Sequence, residues 1–365
     1  MQSAAFRGKM RERIYLDHAA TTPIIPEARE AMMQAMSVWA NPSSPHGEGR
    51  AARAILEQAR STIAETLGWR HDVIFTSGAS ESVGIAARRA KVPGRAHSAT
   101  EHPIVPHTFG ANAKKISVGR DGVIEEAALD SVLADGPALI AIQQVNNETG
   151  VIQPLGRLAP KIREAGSLLL ADCAQSAGKL PLPDADFIAA CGHKLGGPPG
   201  VGVLLVRDLA ALEPVGGQEM GYRRGTQDAP SAASFAAALA ARPYDMELLA
   251  SLRQGLEAGV KDAGGVIIGE GTARIPTIGS ISLPGASSAS LLVQFDLAGF
   301  AVSAGSACSS GKMKKSDVLE AMDVPAGVAA GFLRISFGPS TSEADVESFL
   351  DEWNRVAERA SMQAA

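Results

Sequence analysis

Cysteine is scarce in this 365-residue sequence: Cys173, Cys191 and Cys308 are the only three, and no CxxC pair occurs. That excludes a disulfide framework and fits a reducing compartment. Positive charge does not predominate, with 34 Lys and Arg against 39 Asp and Glu and a net charge of −5. A polycation built to neutralise a phosphate backbone is excluded, so no nucleic-acid partner is expected. Long apolar runs are missing; Ala-rich stretches such as 236–241 fall well short of the roughly 18 residues a membrane helix needs. No membrane partner is expected. The first residues carry Arg7, Lys9, Arg11 and Arg13 but no apolar core and no cleavage pattern, so a cytoplasmic location is expected.

Several motifs fail on inspection. Gly200-Val201-Gly202 lacks the third glycine of a dinucleotide fingerprint, and no Walker A pattern is present. Ser309-Ser310-Gly311-Lys312 matches SxxK but lacks its companion motifs. His97, His102 and His107 recur every five residues, which fits no usual zinc spacing, and no metal is expected.

What is present is an ordinary globular composition, 45% hydrophobic and 20% charged, in a chain long enough for about two domains. Between residues 15 and 207, short aliphatic runs at 73–76, 138–142, 167–171 and 201–206 alternate with helical patterns such as 52–67 and 80–90. The alternation predicts an α/β domain with a mostly parallel sheet and functional groups at its strand ends. An Ala-rich helical stretch at 230–263 leads to strand candidates at 277–282 and 332–337 and helical patterns at 289–298 and 343–357. We expect a large domain over 15–245 and a smaller α+β domain over 246–365, with residues 1–14 packing near the latter.

Five segments carry chemistry. Thr76-Ser77-Gly78-Ala79-Ser80-Glu81-Ser82 runs from a strand through small residues into a helix, a natural phosphate seat and equally a plain N-cap. The strand at 168–172 ends in Asp172, with Gln175 close behind, and the strand at 187–191 leads into Gly192-His193-Lys194. Each charge alone suits a solvated strand end. Together they suit pyridoxal phosphate, whose aldehyde takes a lysine amine and whose ring nitrogen stays protonated beside a carboxylate. Asn146-Asn147-Glu148-Thr149-Gly150 offers amides for a ring hydroxyl, or merely a turn. Finally, Cys308 lies in a small-residue stretch with Lys312, Lys314 and Lys315 nearby, a setting that favours thiolate, whereas Cys173 and Cys191 border apolar strands.

Taken in order, the segments resemble the cysteine desulfurases, in the class-V aminotransferase branch of the fold-type I pyridoxal phosphate enzymes. The residues carrying the resemblance span nearly the whole chain: Tyr15-Leu16-Asp17-His18-Ala19-Ala20-Thr21-Thr22-Pro23, Asn41-Pro42-Ser43-Ser44-Pro45-His46, Glu101-His102-Pro103, Asn146-Asn147-Glu148-Thr149-Gly150, Gly192-His193-Lys194, Arg224-Gly225-Thr226 and Gly305-Ser306-Ala307-Cys308. The separation of Cys308 from Arg334 is similar to that of the long-loop group.

The resemblance implies roles. Lys194 would carry pyridoxal 5'-phosphate, Asp172 would pair with its ring nitrogen, Gln175 and Asn147 would contact the ring hydroxyl, and His102 would stack on the ring. Ala79, Ser80, His193 and Cys191 would face the phosphate, with Thr226 reaching over from the second subunit of a homodimer. Asn41 and Arg334 would bind the substrate, Arg334 as a bidentate clamp on its carboxylate. Cys308 would take the sulfur of L-cysteine as a persulfide, leaving L-alanine, and pass it to an acceptor protein for iron–sulfur cluster or thio-cofactor biosynthesis. Cys191 stands where a serine is usual, and a thiol is the weaker donor, so weaker cofactor binding is expected. A selenocysteine lyase or small-amino-acid aminotransferase on the same scaffold, and a non-catalytic sulfur-transfer scaffold, remain the alternatives.

Overall fold

The structure is a computed structural model that describes residues 13–305 and 315–364. Twelve strands are described: β1 (Ile14–Tyr15), β2 (Asp72–Thr76), β3 (Gly94–Ser98), β4 (Lys114–Ile116), β5 (Ala138–Gln143), β6 (Leu168–Asp172), β7 (Phe187–Cys191), β8 (Gly202–Val206), β9 (Val266–Ile267), β10 (Ile278–Ser282), β11 (Phe300–Ala301) and β12 (Phe332–Ser336). Seven form one sheet in the order β2-β8-β7-β6-β5-β3-β4. From β4 to β7 every pairing is parallel, while β8 runs antiparallel to both β7 and β2. The exception has a simple cause. Only a tight glycine-rich turn separates Cys191 from Gly202, and a parallel neighbour needs a crossover of a dozen or more residues.

Alternation along the strands splits the apolar residues between two faces. Val73, Phe75, Ile140 and Leu205 pack on one side with Phe235, and Ile74, Leu139, Leu170 and Leu204 pack on the other with Val83 and Val105. Burial on both faces is what a sheet of near-continuous aliphatic strands requires. The helix Ala79–Arg89 covers the second face, and Ala229–Ala241 the first, where its alanines let Pro26–Met36 and Gly47–Leu67 approach closely.

A second core joins Leu249, Leu256, Ile281, Leu333 and the helix Glu343–Ala364 around stacked Phe295 and Phe349, 4.8 Å between ring centroids. Its sheet has the order β12-β10-β9, all antiparallel. β1 pairs in parallel with β11 beside it, so Leu16 belongs to this core although it lies far away in sequence. No described helix is long and apolar enough to cross a membrane.

Register positions the site. Thr76 pairs with Gly202, Gly202 with Cys191, Asp172 with Ala189, and Gln143 with Asp172. One edge of the large sheet therefore carries, in a row, the turn after β2, the thiol ending β7 and the carboxylate ending β6.

Candidate active site

A cavity of about 810 Å³ opens over that edge. Its wall is built from Ser77–Glu81, His102, Asn147, Glu148, Asp172, Cys191, His193, Lys194, Ser303, Gly305 and Arg334, together with Asp17. Residues separated by more than 300 positions meet here: Asp17, just after β1, bridges to Ser336 at the end of β12, and Asp17 and Arg334 both line the cavity.

At one end lies the N-terminus of the helix Ala79–Arg89, where no side chain caps the first turn. Glu81 instead accepts the Ser77 N–H and pairs with Arg223 at 2.9 Å, so the N–H groups of Ala79 and Ser80 stay available to an anion. The turn is pressed against β8. A Cβ on Gly202 would come within 2.6 Å of Gly78 Cα and 2.5 Å of Ala190 O, so only glycine fits there. Cys191 is buried beside this turn, and poor solvation pushes its thiol pKa up against the opposing pull of Lys194. It is therefore a neutral donor. Cys173 is also buried but lies away from the cavity, with its Sγ 3.4 Å from Gln144 Oε1.

Lys194 sits on a turn closed by Leu195 N–H and Gly197 N–H, both donating to Gly192 O. Tyr244 supports it from below, donating to Lys194 O at 3.1 Å, and its hydroxyl also lies 2.8 Å from Thr22 Oγ1. Desolvation and the neighbouring Lys194 lower the pKa of His193 to about 4, so its imidazole is neutral. Asp172 Oδ1 accepts the Ala174 N–H at 2.8 Å. Gln175 is buried, donating to Ala19 O at 2.9 Å, while its Oε1 has no partner. His102 stands at the mouth, where Nδ1 accepts the Ile104 N–H at 3.2 Å. Partial desolvation lowers its pKa, with Lys194 acting the same way and Asp172 opposing.

Arg334 enters from the opposite wall on β12. Its Nη1 donates to Asn147 O and its Nη2 to Asp17 Oδ1, both at 2.8 Å, and its buried Nε–H has no acceptor. Glu148 is buried beside it and accepts from Ser316 Oγ.

Most sequence-predicted site residues thus share one cavity: Ala79, Ser80, His102, Asn147, Asp172, Cys191, His193, Lys194 and Arg334. Gln175 lies buried just outside its lining. Asn41 does not reach it; its Oδ1 accepts the Ser43 N–H at 2.9 Å and the residue is exposed. Thr226 is likewise exposed and absent from the wall of this chain's own cavity. Cys308 lies outside the described residues. Of the two adjacent amides, Asn146 makes the turn, its Oδ1 accepting from Glu148 N–H and Thr149 N–H, and Asn147 faces the cavity. Asp17 and Glu148 stand inside the motifs at 15–23 and 146–150, where local sequence assigns them no role. Their signal is tertiary, in that each meets a partner far away in the chain.

The donor set suits an aromatic aldehyde bearing a phosphate. The cavity wall includes an uncapped helix start, a carboxylate and an amine, and Gln175, which follows the lining residue Ala174, has an unsatisfied buried amide oxygen. An unpaired buried acceptor is costly, so a polar partner for Gln175 Oε1 is expected.

The class-V aminotransferase family model matches residues 14–349. An IscS-like cysteine desulfurase of Mycobacterium tuberculosis is 37% identical over 373 residues, covering 92% of this chain and 94% of that one. A cysteine desulfurase of Cereibacter sphaeroides is 33% identical, covering 93% and 94%. Among solved structures, a NifS-like protein from Rickettsia africae superposes with a TM-score of 0.87 at 29% identity, over 95% of this chain and all of that one.

Proposed function

Because the chain belongs to the class-V aminotransferase family, and relatives across more than nine-tenths of it are cysteine desulfurases, we propose residue roles for a desulfurase reaction in this cavity. The enzyme uses pyridoxal phosphate and converts L-cysteine to L-alanine. One observation carries the assignment of roles: Lys194, Asp172, His102 and Arg334, from four separate segments, line one cavity that also contains an uncapped helix start.

When bound, pyridoxal phosphate supplies an electron sink that makes the proton on the substrate's Cα removable. Lys194 would hold it, Asp172 would keep its ring nitrogen protonated, and Ala79, Ser80, Cys191 and His193 would take its phosphate. His102 would stack on the ring. Gln175 Oε1 and Asn147 would contact the ring hydroxyl.

Arg334 orients L-cysteine through its carboxylate, a task suited to a planar guanidinium already fixed by Asp17 and Asn147. Lys194 Nζ moves the Cα proton. The Cys308 thiolate then attacks the substrate sulfur. An S–S bond forms, the substrate C–S bond breaks, and the Cβ carbon left behind takes a proton. The cysteine side chain of the substrate is reduced to a methyl group while the enzyme thiol is oxidised to a persulfide, so no outside oxidant is needed.

The persulfide passes to an acceptor protein, and the reaction runs in the cytoplasm, where thiols remain reduced. A homodimer completes the site. Trp39, 83% exposed, and Met36 and Met220 are exposed apolar side chains, and a second hollow lined by Pro42, Ser43, Met220 and Gln227 brings the sequence neighbours of Asn41 and Thr226 together, which supports a second copy of the chain as the partner here.

The test is product analysis. Purified protein given L-cysteine and a reductant should release alanine and sulfide in equal amounts, with both lost in Lys194→Ala and sulfide lost in Cys308→Ala. Sulfide release that survives Cys308→Ala would contradict the role given to that thiol.

A further inference from the structure

Glu148 is a carboxylate for which the reaction above has no use, yet it is only 4% exposed on the wall of the active cavity. Burying a carboxylate is costly, and desolvation raises its pKa, with Asp317 acting the same way and Arg334 and Ser316 opposing. Such a group needs a reason to be there. Its contacts supply one.

Glu148 Oε2 accepts from Ser316 Oγ, which in turn caps the helix Asp317–Ala321 by accepting the Leu319 N–H at 3.0 Å. The same Oε2 also lies close to Gly305, whose φ is +82° and where a Cβ would come within 3.0 Å of that oxygen, so the carboxylate reaches this position only because the residue is glycine. Gly305 and Ser316 stand on either side of Cys308 in the sequence. One buried carboxylate therefore bonds Ser316 on one side of the thiol in sequence and lies close to Gly305 on the other, in the cavity that Arg334 also lines.

We propose that Glu148 is a positioning residue for sulfur transfer, fixing both flanks of the Cys308 segment relative to Arg334, and hence to the bound substrate. The proposal rests on the desulfurase reading. The sequence supports a local origin: Asn146 Oδ1 accepts the Glu148 N–H at 2.9 Å, so the turn after β5 aims Glu148 while Asn147, one residue earlier, supplies the carbonyl that holds Arg334. Asn147, which holds the substrate clamp Arg334, and Glu148, the flank anchor, are adjacent residues on one turn, which ties the clamp and the flanks together. Small displacements of a reacting group cost rate steeply.

The experiment uses the full-length cofactor-loaded enzyme and two readouts. The first is the change in visible absorbance of the bound cofactor as L-cysteine is titrated. The second is the single-turnover rate at which the Cys308 peptide gains one sulfur atom. Glu148→Ala should slow sulfur gain by about tenfold or more while the titration midpoint moves less than about threefold. Glu148→Gln keeps an oxygen acceptor for Ser316 Oγ and should recover most of the rate. Ser316→Ala, which leaves the carboxylate in place, should reproduce part of the loss and serves if the alanine variant at 148 does not fold.

Sulfur gain at the wild-type rate in both Glu148→Ala and Ser316→Ala would overturn the proposal. So would a loss of the absorbance response equal to the loss of sulfur gain, since Glu148 would then act on Arg334 and substrate binding. If wild-type Cys308 gains no sulfur at all, the desulfurase reading itself fails, a result distinct from either.

Discussion

Asp17 and Arg334, 317 residues apart in sequence, meet through a hydrogen bond of 2.8 Å from Arg334 Nη2 to Asp17 Oδ1. The arginine side chain is 5% exposed and the aspartate 23%, so the pair is largely shielded from water. It joins the segment just after β1 to β12. It also fixes the direction in which the guanidinium points.

Replacing Asp17 with Ala leaves Arg334 held by Asn147 O alone. A hydrogen bond between charged groups is worth about 1.5–3 kcal/mol, so kcat/KM for L-cysteine should fall on the order of tenfold or more, mainly through KM. The cofactor colour should persist. Steady-state kinetics with an absorbance spectrum checks both; an unchanged KM would show that Arg334 does not rely on Asp17.

Cys191→Ser places a hydroxyl at the buried end of β7, beside the uncapped helix start. A hydroxyl donates more strongly than a thiol, so cofactor affinity should rise by about a factor of five, equivalent to ~1 kcal/mol. Equilibrium titration of the cofactor-free protein with pyridoxal phosphate measures this. Weaker binding in the serine variant would remove Cys191 from the phosphate site.

Glu101 precedes His102 and is buried; one oxygen accepts the Gln143 N–H at 2.8 Å and the other has no partner. Desolvation, aided by Asp172, raises its pKa to about 8 from the ordinary 4.5. Between those values the folded protein holds a proton that the unfolded chain has released. The contribution to stability is therefore complete below pH 4.5, shrinks as pH rises, and is gone above about 8. Glu101→Gln stays neutral throughout, so its melting temperature relative to the native sequence should climb steadily from pH 5 to 8. A constant difference over that range would show that Glu101 is ionised in the folded state. Lys179, lowered to about 7 mainly by desolvation, works in the opposite sense above that pH, and comparing two variants at each pH cancels its contribution.

Trp39→Asp places charge at an exposed apolar side chain three residues from Met36, which is also exposed. Sedimentation should show the native sequence as a dimer and the variant shifted toward monomer at micromolar concentration. Because Thr226 is exposed and lies away from its own chain's cavity, dissociation should also weaken cofactor binding. A variant that remains dimeric with unchanged affinity would place the interface elsewhere.

Reading the sequence found what periodicity and local chemistry encode. The aliphatic runs of β5, β6, β7 and β8 were legible because both faces of the sheet are covered, leaving no polar alternation to confuse them. β3, Gly-Arg-Ala-His-Ser, and β4, Lys-Lys-Ile, were not, since strands at or near a sheet's edge carry polar side chains like those of a loop. Lys194, Asp172 and His102 could be named from their local segments and Arg334 from the family resemblance, and one cavity contains all four. Pairs such as Asp17 with Arg334, Glu81 with Arg223 and Glu148 with Ser316 were illegible because each exists only after distant segments pack. The proposed division near residue 245 falls between the helices Ala229–Ala241 and Met246–Asp262, the second of which packs into the small core.

The account stands on sulfur passing from L-cysteine to residue 308. Incubating the cofactor-loaded protein with one equivalent of L-cysteine, then weighing the peptide that contains Cys308, tests this directly. The prediction is one added sulfur atom on that peptide, matched by one equivalent of alanine and absent in Lys194→Ala. Alanine formed with sulfur on a different cysteine, or with none on the protein, would contradict it.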